Sequence, residues 1–140
     1  MYAEPGSIYV YLSYGIHLAG NVVCSPVGEA SAVLLRAGEV VAGIELARQR
    51  RWGAGRDGRS PVDAELARGP GNLGKALGLS LSDNGERLGG GLFDFEPPDR
   101  PAGRVEISAR IGIVKNPDAP LRYWLPGEPS VSGHRRPAVG

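Results

Sequence analysis

The sequence predicts an α+β fold: a single domain with one curved, mostly antiparallel β-sheet, a protruding β-hairpin and a few helices packed around it. Three observations carry this expectation. Near the start, apolar Ile8, Val10 and Leu12 alternate with Tyr9, Tyr11 and Ser13, which is the period of a strand. The strand-like runs do not alternate regularly with helical ones, which argues against a doubly wound parallel sheet. Gly (22) and Pro (12) are abundant, so elements are short and turns many. At 140 residues the chain is long enough to bury a core as one domain.

The elements follow in order. A hairpin takes residues 7–24, with the turn signal Tyr14-Gly15 at its tip and Tyr11 and Asn21 facing one pocket. A tyrosine on an exposed tip can act as a wedge, and a tyrosine with an asparagine in a pocket can stack on and read a base. Residues 25–29 are a turn. Ser31 to Arg36 reads as a buried strand, a short apolar run closed by a charge; a half-buried arginine needs an anion, several acceptors or a structural ion pair. Val40 to Arg51 has helical spacing, with Glu45 and Arg48 set for a side-chain pair. Pro61 to Arg68 reads as a second short helix. Gly69-Pro70-Gly71-Asn72 opens a third, Leu73 to Leu79, and such a turn either presents backbone N–H groups to a phosphate or is only a turn. Residues 80–91 form a loop. Short strands are expected at Leu92–Phe95, Val105–Val114 and Leu121–Leu125. The domain spans residues 1–133, with 134–140 a frayed tail.

Composition excludes several classes of function. The net charge of +1 announces no polyanion partner. The charges are unevenly spread, however. Arg48, Arg50, Arg51, Arg56 and Arg59 fall within twelve residues against one acid, Asp57, and form either a phosphate-binding face or a solvated one. Arg135-Arg136 beside His134 is a smaller basic group. A single cysteine, Cys24, allows no intramolecular disulfide and is expected to be a small buried apolar residue. Two histidines and one cysteine are too few for a zinc site, so no metal is expected. No apolar run approaches the roughly 18 residues of a membrane span, and no signal peptide is visible. A soluble, cytoplasmic, monomeric protein is expected, associated with the nucleoid if bacterial.

The stretches PGSIYVYLSYGIHLAGNVV, AVLLRAGEVVAGIELARQRR and ARGPGNLGKALGL, with the closing pattern SARIGIVKN…PLRYWLPGEPSVS, resemble the alkyladenine (3-methyladenine) DNA glycosylase family. The resemblance covers residues 1 to about 133, the C-terminal two-thirds of the family domain. The family's N-terminal part carries a catalytic glutamate in a Glu-Thr-Glu-Ala-Tyr type motif. This sequence has no such motif, and a strand so close to the start would leave its edge exposed. Both points lead to the expectation of a chain truncated before the hairpin.

The resemblance implies DNA repair by hydrolysis of the N-glycosidic bond of damaged purines. A base inside a duplex must first be extruded. Tyr14 is then the wedge that enters the minor groove and fills the gap. Tyr11 is a pocket wall whose ring face attracts a cationic alkylated purine. Asn21 reads the purine edge and disfavours normal guanine. Arg36 and the main-chain carbonyl of Ile111 help a glutamate hold the attacking water. Tyr9 has a supporting role, and His17 falls at a variable position. In the family a lysine often stands where Asn72 sits, so a phosphate contact there is weakened. Neither Lys75 nor Lys115 matches a catalytic position, so hydrolysis without cofactor is favoured over a lyase route. The partner is double-stranded DNA containing alkylated or deaminated purines. Without the glutamate, this chain is expected to be inactive or nearly so. The rival expectations are a non-catalytic module that recognises damaged or distorted duplex through Tyr14, and a remnant that does not fold stably.

Overall fold

The alternation of residues 8–13 produces the expected hairpin. In the computed structural model, which describes residues 1–53 and 60–133, strands β1 (Ile8–Ser13) and β2 (His17–Val23) pair antiparallel. Their register runs from Ile8↔Val22 to Ser13↔His17. The series on one face of β1 shows how the hairpin projects. Ile8 and Val10 are each 4% exposed, whereas Leu12, next on that face, is 52% exposed. The base of the hairpin lies in the core and its tip stands clear of it. The tip reverses through Tyr14 (φ 50°) and Gly15 (φ 70°), closed by Ile16 N–H donating to the Ser13 carbonyl.

β3 (Ala32–Leu34) joins the outer side of β2 to give the order β1-β2-β3. β4 (Glu106–Ser108) and β5 (Arg122–Trp124) pair only with each other. The expected single curved sheet is therefore corrected to two separate small antiparallel sheets. The reason lies in the connecting chain. Residues 85–101 hold Gly85, Gly89, Gly90, Gly91, Pro97, Pro98 and Pro101, and prolines supply no ladder donor while glycines favour bends. The expected strand Leu92–Phe95 is reduced to a single bridge, Leu88↔Phe93. The long strand expected from Val105 to Val114 shrinks to β4. β3 is not buried as expected: Val33 is 60% exposed, because β3 is the edge of its sheet and one face has no covering layer. Cys24 is exposed rather than buried. Val23 points into the core at 1% exposure, and the strand's alternation turns the next side chain outward. The outer edge of β1 is not bare either. Ile8 N–H donates to Glu86 O (2.7 Å), Gly85 N–H donates to Ile8 O (2.8 Å), and Asn84 Oδ1 accepts from Val10 N–H (3.1 Å).

Of the two helices, α2 packs against β2 and α1 packs against α2. α1 (Ile44–Trp52) starts four residues later than the periodicity predicts. Gly43 adopts φ 67° just before it, so the chain cannot be helical from Val40. The expected helix at 61–68 is only a short 3₁₀ turn, Asp63–Glu65. α2 (Pro70–Leu77) begins earlier than expected, because Pro70 at the first helical position has no N–H to leave unpaired. The interhelical core comprises Ala47, Leu66, Ala67 and Ala76, with Val40, Ile44 and Leu73 packed on it. α2 lies unusually close to β2. A Cβ on Gly74 would sit 2.1 Å from the Leu18 carbonyl oxygen, and one on Gly71 would sit 2.8 Å from the His17 ring. These two glycines bring the N-terminal turn of α2 against the hairpin. Among the described residues no helix is long and apolar enough to cross a membrane.

Candidate nucleic-acid interface

The hairpin tip is an exposed apolar prong. Tyr14 is 78% exposed, and Leu12 and Ile16 flank it at 52% and 69%. A bulky residue at positive φ is uncommon and costs of order 1 kcal/mol or more, so the turn holds Tyr14 outward at some expense. Beside the tip lies a cleft of about 310 Å³ whose lining includes Tyr11, Tyr14, His17, Arg36, Arg68 and Ile111. β1 supplies Tyr11, the segment after β3 supplies Arg36, and the segment after β4 supplies Ile111. The turn Gly69–Asn72 at the start of α2 forms a further wall. The Tyr11 ring stacks on Tyr9, with centroids 5.6 Å apart and planes inclined by 23°.

Arg36 is half-buried. Its Nε–H is buried and has no acceptor among the described residues. Burial, reinforced by the neighbouring Arg122 charge, holds its guanidinium below the usual arginine range. It also borders a larger cavity of about 560 Å³, shared with Arg122, Trp124, Glu39 and Glu128. Arg122 is only 4% exposed. Its guanidinium donates to Ser132 O (2.6 Å) and lies over the Trp124 ring, 5.3 Å from the centroid. The Nε–H of Arg122 and the Nε1–H of Trp124 are likewise buried without acceptors among the described residues. Among those residues, no Asp or Glu lines the smaller cleft, and Arg36 makes no ion pair. Glu4 is instead paired with Arg87, and Glu29 sits exposed in the turn before β3. No group of three or more His, Cys, Asp or Glu that could hold a metal ion occurs among the described residues.

The other residues singled out by sequence lie elsewhere. Asn21 is 7% exposed and does not line the cleft; its amide donates to the Tyr9 carbonyl across the hairpin (3.0 Å). The arginines of α1 are engaged within the fold. Arg48 bonds Ser60 Oγ (3.1 Å), Pro61 O (2.7 Å), Asp63 Oδ1 (2.5 Å) and Glu45 Oε1 (3.4 Å). The hydrogen bond to Asp63 raises its pKa. Arg50 caps the C-terminus of α2 through Ala76 O (3.1 Å) and Leu77 O (3.0 Å). Arg51 reaches Asn72 Oδ1 and Glu65 O. Arg56, Arg59 and residues 134–140 lie outside the described residues. Of the residues lining the two cavities, sequence reasoning passed over Arg68 and Arg122 and set His17 aside as a variable position. Arg122 had a visible signal: it is a charge in a short strand-like run, Leu121 to Leu125, as Arg36 is a charge closing one.

Comparison with known proteins gives one consistent result. The family model for methylpurine-DNA glycosylase matches residues 1–129. Relatives bearing the name 3-methyladenine DNA glycosylase include one from Corynebacterium jeikeium (strain K411), 48% identical over 100% of this chain and 68% of the relative. Another, from Corynebacterium efficiens, is 50% identical over 96% of this chain and 67% of the relative. A third, from Frankia casuarinae, is 47% identical over 98% and 67%. The chain thus spans about two thirds of the length of these relatives.

Proposed function

The chain belongs to the methylpurine-DNA glycosylase family, and from that premise we propose that it acts in DNA repair by engaging duplex at damaged purines. Tyr14 enters the minor groove and fills the gap left by an extruded base, offsetting an unstacking cost of a few kcal/mol. The extruded purine stacks on Tyr11, whose ring face attracts the positive charge of an alkylated base. Arg36 and the Ile111 carbonyl flank the position of the attacking water. Asn21 acts from behind this wall, by holding the Tyr9 strand in register. The protein works as a monomer in the cytoplasm, beside the chromosome. The observation that supports this reading is the convergence of Tyr11, Tyr14, Arg36 and Ile111 on one cleft at the foot of an exposed apolar tip.

Hydrolysis needs a carboxylate within about 3 Å of the water, and among the described residues none lines the cleft. That observation favours a second reading for residues 1–133 taken alone: they grip damaged or distorted duplex and release the base slowly or not at all. The rate is expected to lie about 10² to 10⁴ below that of a site with its general base. The test is single-turnover release of an alkylated purine from duplex DNA, run beside binding to an abasic-site duplex on protein shown to melt cooperatively. Binding that Tyr14→Ala weakens, with little or no release, is the expected outcome. Fast release abolished by Tyr11→Ala or Arg36→Leu would show that another carboxylate serves the cleft. Absence of binding would remove the DNA reading altogether.

A further inference from the structure

Tyr14 makes one contact that insertion would have to break. Its hydroxyl donates to the Gly112 carbonyl at 2.7 Å, across a sequence separation of 98 residues. Gly112 adopts φ 74°, and nothing lies within 4 Å of where its Cβ would be. Glycine is therefore required there by the turn and not by crowding. The loop around it is folded on itself, because the Arg110 guanidinium donates to Lys115 O (2.6 Å) and Asn116 O (3.0 Å). The residue before Gly112 is Ile111, which lines the cleft. One hydroxyl thus joins the hairpin tip to the segment that forms a wall of the cleft.

A tyrosine entering a base stack leads with its hydroxyl, the atom farthest from the backbone. A hydroxyl bonded to the protein's own carbonyl cannot lead. We propose that Gly112 is a positioning residue that latches Tyr14: in the free protein its carbonyl holds the ring against the 110–116 loop, and insertion into duplex releases ring and loop together. This rests on the reading of Tyr14 as the wedge. The latch biases the tip without locking it, since one exposed neutral hydrogen bond shifts an equilibrium by about two- to tenfold. Its release also couples insertion to the Ile111 wall, so the cleft adjusts as the tip enters DNA.

Tyr14→Phe separates the two roles, because it keeps the ring and removes the donor. Two measurements are made on the full chain: affinity for an abasic-site duplex, and amide hydrogen exchange of residues 110–116 without DNA. The latch predicts that Tyr14→Phe binds about two- to tenfold tighter than the parent, and that the 110–116 amides exchange faster in the free variant. Tyr14→Ala, which loses the ring, binds more weakly than the parent. If Tyr14→Phe binds no tighter, or leaves loop exchange unchanged, while Tyr14→Ala still weakens binding, the wedge stands and the latch is wrong. If parent and variants all fail to bind, the wedge reading falls and the latch falls with it.

Discussion

The arginines of α1 and the arginine that follows β3 carry the same charge in opposite circumstances. Arg48 and Arg50 have acceptors at every turn: a serine, a proline carbonyl and two carboxylates for the first, the open carbonyls at the end of α2 for the second. Arg36 has a buried Nε–H with no acceptor among the described residues, and a second buried arginine pushes against it. Charge density along the chain therefore misdirects. Arg48 and Arg50, from the cluster that stands out in sequence, are occupied in holding α1 to its neighbours, while Arg36 stands at the cleft with a buried Nε–H that no described residue accepts. An unmet buried donor is costly to the fold, and Arg36 combines one with a place in the lining of the cleft.

Three substitutions test that contrast. The largest effect is expected at Arg36. Arg36→Leu should weaken binding to an abasic-site duplex by about tenfold or more, the scale of a charge-assisted hydrogen bond. Its melting temperature should hold or rise, because a buried unpaired donor is removed. A large drop in melting temperature would mean that Arg36 is structural like the others. Next, Arg50→Ala should cost about 1 kcal/mol of stability by uncapping α2, read from chemical unfolding, and leave abasic-site affinity within about twofold. A strong loss of affinity with unchanged stability would return α1 to the DNA-facing surface. The smallest effect is expected in the salt dependence. Two phosphate contacts would contribute nearly two to the slope of log K against log salt. Replacing both Arg48 and Arg50 with alanine should leave that slope nearly unchanged, and a fall of about two would break the comparison.

Much of the hairpin was legible because its signals are local. The alternation from Ile8 to Ser13 and the Tyr14-Gly15 turn depend on neighbours two or three residues away, and the structure keeps both. The single curved sheet was not legible. Whether three-residue strands far apart in sequence join one ladder depends on how the intervening loops run, and here the Gly- and Pro-rich segment leaves two sheets. The exposure of Cys24 failed for a smaller reason: a one-residue step past Val23 reverses which way a side chain points.

For the cleft, the sequence by itself determined which residue types were present and, through long ordered motifs, the family to which they belong. It also determined the hairpin, since strand period and turn chemistry are short-range properties. Tertiary structure alone decided which of those residues meet. Tyr11, Arg36 and Ile111 come from three separate segments, Asn21 turns instead to the Tyr9 carbonyl, and Tyr14 finds its partner 98 residues away. The physical reason is that a hydrogen bond or a shared cavity requires closeness in space, and closeness across such separations is set by packing: the glycines that let α2 lie against β2, and the acceptors that claim Arg48 and Arg50.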